Sequence, residues 1–259
     1  PTPGPTPGPT PGPTPGPTPG PTPKATPSPT PEPTPSPTPP TTTPGSTPSP
    51  TSGGASGDPH FKTWTGEHYD YHGLCDLVLL KDSDFKDMLG MDIHIRTKKF
   101  KQWSYISSAA LRIGDDILEV ASDSDVEFEY WINGVLGDIV HGNGKDIILP
   151  YTVSGYPVIY RRINSHSVSF AVDLGDDTNI TLKTWKQLVR VDVNGATSAD
   201  FGTSLGLMGS FTNGDHLARD GKTVLQNIND FGQEWQVLYS EPKLFHSVEG
   251  VQHPQQCLS

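Results

Sequence analysis

Asp58-Pro59 is the only Asp-Pro bond in the chain. Such a bond is labile: the Asp58 carboxyl can attack its own carbonyl carbon, and the tertiary proline nitrogen leaves readily once protonated. Asp58 would be the nucleophile and His60 a candidate proton donor. The same run, Gly57-Asp58-Pro59-His60, reads more simply as a structural turn in which Asp58 caps backbone N–H groups. Gly202-Thr203-Ser204-Leu205-Gly206 has the G-x-S-x-G spacing of a nucleophile elbow and would make Ser204 a hydrolase nucleophile. That elbow needs a strand before it and a helix after it. Here a further glycine turn and a polar loop follow, which makes hydrolysis the weaker reading. His68, Asp70 and His72 would share one face of a strand and could ligate zinc, but a third strong ligand at fixed spacing is missing. The pairs Asp115/Asp116 and Asp176/Asp177 sit beside glycines and read as solvated turn carboxylates rather than an acid/base pair.

The elements that must carry these residues are strands. Cys75–Leu80 is a short apolar run. Met91–Arg96, Ile117–Val120, Glu127–Tyr130, Ser167–Val172, Asn179–Thr184 and Leu188–Val193 alternate with period two, which suits antiparallel sheets with one wet face. Turn signals separate them at Gly114-Asp115-Asp116, Asn133-Gly134, Asn143-Gly144, Gly175-Asp176-Asp177 and Asn194-Gly195. The pattern predicts an all-β, antiparallel sandwich or double sheet. One short helical turn fits around Ile228–Gln233. Trp64, Trp103, Trp131, Trp185 and Trp235 fall in these segments and read as core.

Composition divides the chain in two. Of 28 prolines, 23 lie in residues 1–50, and residues 1–20 are five copies of Pro-Thr-Pro-Gly. Almost no large apolar side chain occurs there, so residues 1–55 are predicted to be a disordered, polyproline II-rich stalk or linker, with residues 56–259 as one folded domain. Fully extended, about 50 such residues would reach ~150 Å. Ser/Thr-rich tracts with proline also suit O-glycosylated stalks as well as bare linkers.

The stalk holds only Lys24 and Glu32, which places the net charge of −11 on the domain. That argues against nucleic acid or an anionic membrane surface as the main partner. No apolar run approaches the ~20 residues of a membrane span. The chain opens at Pro1 rather than Met and is read as a fragment or processed form from which a signal peptide could have been lost. Asn179-Ile180-Thr181 is the one clear N-glycosylation sequon. Cys75 and Cys257 have no metal-type spacing; they either pair or stand as separate thiols.

Four ordered fragments resemble the von Willebrand factor type D domain. They are Gly57-Asp58-Pro59-His60 with Thr63 and Gly66; Gly73-Leu74-Cys75 with Leu79; Gly206-Leu207-Met208-Gly209-Ser210-Phe211; and Phe231-Gly232-Gln233-Glu234-Trp235-Gln236-Val237. The wording is similar to simplified type D domains of microalgal proteins, which lack the cysteine-rich modules of mucins. The resemblance implies an all-β double sheet of the type D kind and a Cys75–Cys257 disulfide, hence an oxidising, extracytoplasmic setting. The family's other long bridge joins a cysteine just ahead of G-D-P-H to one in G-L-C-G; here Ala55 and Ser56 precede the motif and Met208 fills the second place. Many members hold one Ca²⁺. In this chain Thr65, Ser210 and Thr212 stand where acidic or amide ligands are usual, leaving Asn213 and Asp215, so the resemblance implies at most a weak Ca²⁺ site. Some members cleave themselves at the Asp-Pro bond of G-D-P-H.

Together these readings predict a non-enzymatic, secreted or cell-surface protein for adhesion or matrix assembly, with extracellular proteins or glycans as partners. A second copy of the chain remains open as a partner, although the cysteines that cross-link larger relatives are absent. The alternatives are a self-processing module at Asp58-Pro59 and a Ca²⁺-dependent binding module.

Overall fold

The computed structural model describes Gly4, Gly8, Gly12, Gly16 and Gly20 and residues 51–122, 128–138, 141–142, 144–247 and 257. The chain divides into two units, Pro1–Gly45 and Ser46–Ser259. Apart from those glycines and residues 51–55, the predicted stalk lies outside the described residues, as do Glu127 and Asn143 of the predicted strand and turn.

Fourteen strands form two antiparallel sheets among the described residues. The larger takes β10 (Asp146–Val153), β11 (Tyr156–Asn164), β12 (Ser167–Gly175), β13 (Thr178–Trp185), β14 (Leu188–Ala196), β1 (Thr51–Ser56), β2 (His60–Lys62) and β3 (His68–Asp70), in that order. The smaller takes β4 (Asp76–Asp82), β5 (Met91–Phe100), β6 (Trp103–Ile113), β7 (Asp116–Ala121), β8 (Glu129–Ile132) and β9 (Val135–Leu136). Helical residues are few: the turn α1 (Phe85–Met88), whose Lys86 and Asp87 are left-handed, then α2 (Ser198–Phe201) and α3 (Ile228–Glu234). Asn227 caps α3 by accepting from the Asn229 and Asp230 amides, close to the predicted helical turn.

Period two fixes which side chains line the core. One row crosses seven strands of the large sheet as Tyr160, Phe170, Leu182, Val191, Ala55, Phe61 and Tyr69, paired in register from β11 to β3. It faces Ile93, Ile95, Leu111, Leu118 and Val120 of the small sheet within one apolar cluster. Proline enters β10 at Pro150, where an edge strand lacks ladder register between Ile148 and Thr152, so no donor is missed.

β1 corrects the stalk boundary. Thr51–Ala55 is not stalk but a strand inserted between β14 and β2. Its Ser-Gly-Gly-Ala sequence hides this, because the glycines are there for close approach. A Cβ on Gly54 would meet the Val191 carbonyl oxygen, and one on Gly53 would lie 2.5 Å from the Met208 methyl. Met208 is buried, and the Trp64 amide donates to its carbonyl at 3.1 Å. Where the resemblance would place a second disulfide, the chain packs a thioether against a bare backbone. Asn194-Gly195 is also corrected: it lies inside β14, not at a hairpin. A turn the sequence reading missed, Ser154-Gly155, joins β10 to β11 with both φ angles positive.

The expectation of one wet face holds for the large sheet and fails for the small one. On the outer side of the small sheet, Asp76, Asp92, His94, Arg96 and Glu119 are all buried. A strap running from Val237 to Ser247 covers them. Leu244 and Phe245 pack with Ala110 and Ile117. The Phe245 ring lies 4.2 Å from the Arg96 guanidinium. His246 stacks on Trp131 at 3.8 Å and donates its backbone N–H to Glu119 at 2.7 Å. Glu241 anchors the strap's start by accepting from Arg219 at 2.6 Å and Lys81 at 3.1 Å. Burial alone would raise the Glu241 pKa, but these cations and the Leu238 amide outweigh it and hold it low.

His94 makes this face acid-sensitive. Burial pushes its imidazole from 6.5 down to about 4; Lys81 and Arg112 add to the push, and Asp92 and Glu241 oppose it. A group whose folded pKa is depressed binds protons more readily when unfolded, so its stabilisation is complete above pH 6.5 and is lost as pH falls towards 4. The loss is on the order of 3 kcal/mol, at about 1.4 kcal/mol per unit. Urea midpoints at several pH values should fall faster for the wild type than for His94→Gln over that interval. Burial raises the carboxyls of Asp76 and Asp82, but both proteins share them and they cancel in the difference. Parallel curves would refute the assignment.

Candidate functional site

Gly57 ends β1 with a left-handed φ of 57° and turns the chain into Asp58-Pro59 before β2 begins at His60. The turn is pinned on both sides: the Gly57 amide donates to the Val189 carbonyl at 3.3 Å, and the Gly57 carbonyl accepts from the Ile106 amide at 2.8 Å. His60 and Asp70 are register partners on β2 and β3, and His60 Nδ1 lies 2.6 Å from Asp70 Oδ1. The neighbour of Asp58 is therefore not His60. It is His72, whose Nδ1 lies 3.4 Å from Asp58 Oδ1. Both of these atoms are enclosed and have no closer partner in the described structure. From the sequence, His72 reads only as a zinc candidate; its pairing with Asp58 depends on how the chain turns after β2 and β3, which spacing alone does not give.

That register also dissolves the zinc reading. Asp70 is engaged by His60 and His72 stands beside Asp58, and no group of three or more His, Cys, Asp or Glu among the described residues is placed to hold a metal. Ser204 lacks the setting of a nucleophile elbow. It follows α2 instead of preceding a helix, it is buried, and its Oγ meets no histidine or other base. A nucleophile elbow presents its serine to solvent beside a base.

The loop after Gly209 closes on itself. The Ser210 amide donates to the Asp215 carbonyl, the Gly214 amide to the Ser210 carbonyl, and the Asn213 amide nitrogen to Asp215 Oδ2 at 2.6 Å. Thr65 packs directly against Gly214. The fold thus brings Thr65, Asn213 and Asp215 to one place, as the resemblance implies. Their donor set holds a single carboxylate among hydroxyls and an amide, a poor match to the oxygen-rich shell of Ca²⁺. Asn179 lies on β13, half-buried, with its Oδ1 accepting from Thr181 and Asn194.

Cys75 and Cys257 form a disulfide across 182 positions. Cys75 is fully buried, and its amide and carbonyl both engage the Thr97 hydroxyl. The bridge fixes the far end of the chain beside β4, next to the face that the strap covers. No helix among the described residues is long and apolar enough to cross a membrane.

The fragments that opened and closed the sequence resemblance now occupy defined places: Asp58 and Thr63–Gly66 at the β1–β2–β3 edge, Cys75 at the start of β4, and Leu207–Met208 in the core between sheets. The family model described as von Willebrand factor type D domain matches residues 53–219, beginning inside β1 and ending beyond the Gly209 loop. The chain belongs to the von Willebrand factor type D domain family.

Proposed function

We propose that this chain is a secreted or cell-surface adhesion or matrix-assembly protein, in which a Pro/Thr-rich stalk presents one type D domain and catalysis is not its task. The observation that carries the reading is the Cys75–Cys257 disulfide closing a type D double sheet, since such a bond persists in oxidising compartments. Non-reducing peptide mapping by mass spectrometry, on protein recovered from its native source, tests it. A linked Cys75–Cys257 peptide in the extracellular or wall fraction is the expected result. Two free thiols in an intracellular fraction would overturn it.

One contact favours a second reading, self-processing at Asp58-Pro59. In it the Asp58 carboxylate attacks its own carbonyl carbon, the Asp58–Pro59 bond breaks, and the proline nitrogen takes a proton and leaves as an amine. Water then opens the resulting cyclic anhydride to a free aspartate. His72, 3.4 Å from the carboxylate, replaces His60 as the nearest proton carrier. Incubation at pH 5 should slowly yield a fragment beginning at Pro59, lost in Asp58→Ala and slowed at least tenfold in His72→Gln. A full-length chain after several days would end this reading and leave the first intact.

A further inference from the structure

The outer face of the large sheet has no covering segment among the described residues and is not flat. A trough of about 940 Å³ runs along β12, because the outward residues of that strand are small. Ser169 and Ala171 form its floor; Arg161 and Ile159 rise on the β11 side, and Lys183 and Asn179 on the β13 side. A second hollow of about 280 Å³ shares Ile163 and Lys183 with the first and ends against Trp185 and Arg190.

The register explains the chemistry of this surface. One row of outward side chains crosses all eight strands as Asp146, Arg161, Ser169, Lys183, Arg190, Ser56, His60 and Asp70. Its basic members cluster towards the end of the sheet where the β11–β12 and β13–β14 hairpins turn, joined there by the Lys186 amide donating to the His166 carbonyl. Arg161 and Arg190 are held by Asp146 and Asp192. Among the described residues no carboxylate pairs with Lys183. The opposite end of the trough is acidic, with Asp173, Asp176 and Asp177.

Two further observations point to a ligand class. Trp185 is 52% exposed at the basic end, so the expectation that it is core is wrong. Trp103, at the tip of the β5–β6 hairpin, is likewise 50% exposed and not core. An exposed indole beside cations offers a stacking platform to a sugar ring and a charge to its anionic substituent. Carboxylate and amide acceptors at the other end suit sugar hydroxyls, which are donors. On a chain of net charge −11, Lys183 beside the exposed indole is a local complement to an anionic substituent, while the trough's carboxylates lie towards its other end.

We infer that the β11–β13 trough binds an acidic polysaccharide, with a uronate or sulfate group at Lys183, a ring on Trp185, and hydroxyls towards Asp173. The inference rests on the adhesion reading for its setting and names what that module would hold. An N-glycan on Asn179 would sit in the trough, so the full chain is best produced in the bacterial periplasm, where the sequon stays bare.

Isothermal titration at low salt with polygalacturonate and with dextran sulfate, against neutral dextran, tests the proposal. The folded full chain should bind at least one acidic probe and not dextran, and 0.5 M salt should abolish binding. The double variant Lys183→Ala/Trp185→Ala should bind at least tenfold more weakly with an unchanged melting temperature, while Phe100→Ser/Trp103→Ser, at the other hairpin, should stay within twofold. Absence of binding to both acidic probes overturns the proposal, as does equal binding by the Lys183/Trp185 variant. Preferential binding to phosphatidylserine vesicles, lost in the Lys183/Trp185 variant, would reassign the basic end to a membrane surface. A chain that still localises to the extracellular matrix after the trough is altered sinks this assignment and spares the adhesion reading. An intracellular chain whose trough binds polygalacturonate does the reverse.

Discussion

Reducing the Cys75–Cys257 bond should lower the unfolding midpoint by roughly 10 °C or more, the largest single effect expected in this protein. The bridge closes a loop of 182 positions. In the chain-entropy model a loop of that length is worth about 5 kcal/mol, most of it from restricting the unfolded chain. At about 2–4 °C per kcal/mol for a domain of this size, the midpoint shift follows. The native state gives a second reason. Cys257 sits 3.5 Å from the Tyr71 hydroxyl, inside the core, and is the last point at which the described chain is fixed after the strap leaves Ser247. Without it the strap is held by its own contacts, among them those of Val237, Glu241, Leu244, Phe245, His246 and Ser247. Calorimetry of the full chain with and without reductant, beside Cys75→Ala/Cys257→Ala, measures the effect. The reduced wild type and the double variant should coincide, and hydrogen exchange should rise first at 244–247. If oxidised and reduced midpoints agree within about 1 °C, the bridge is not what closes the domain.

How much of this was legible beforehand depends on the kind of information each feature needs. Alternation in Leu188–Val193 and Asn179–Thr184 showed which residues share a face, and the sheets follow it. The Gly-Asp turns at 114–116 and 175–177 fall where the hairpins turn. What alternation cannot report is whether the second face is covered. Asp92, His94 and Arg96 alternate with Met91, Ile93 and Ile95 as though wet, yet both sets are buried. Their cover comes from a segment more than a hundred residues away with no periodicity of its own. Thr51–Ala55 was missed for the opposite reason: two glycines carry no pattern, although they are what allows β1 to fit. Hydrophobicity alone puts Trp103 and Trp185 in the core, whereas both sit at hairpin tips and are half exposed. The Asp58 site was half legible: the labile bond is in the sequence, but its partner, His72, follows from the β2–β3 pairing.

The buried pair Asp76–Arg96 should be the most damaging single side chain to break. Arg96 Nε and Nη2 donate to the two carboxylate oxygens at 2.7 and 2.9 Å, and each residue is only 4% exposed. Every other side of the guanidinium is occupied, by the Phe245 ring and by the Ser247 hydroxyl at 3.2 Å. Burial pushes the Asp76 carboxyl up, and Arg96 is the main force holding it down. Arg96→Met therefore leaves an uncompensated carboxylate under the strap, at a cost of about 3–5 kcal/mol. Asp76→Leu strands the guanidinium at similar cost. The double variant Asp76→Leu/Arg96→Met should recover most of the loss, because an apolar pair of like volume needs no partner in a dry site. A double-mutant cycle from urea midpoints should thus give a coupling of at least about 2 kcal/mol, well above that of an exposed pair such as Arg161–Asp146. Singles within about 1 kcal/mol of wild type, with additive effects, would mean that water reaches this pair and that the strap does not seal the face. Since Val237 donates to the Asp76 carbonyl at 2.8 Å where the strap begins, and Phe245 and Ser247 touch Arg96 near its far end, a large coupling also marks the pair as the strap's docking point. The charges then specify where the last described segment lies, and the disulfide one residue before Asp76 keeps it there.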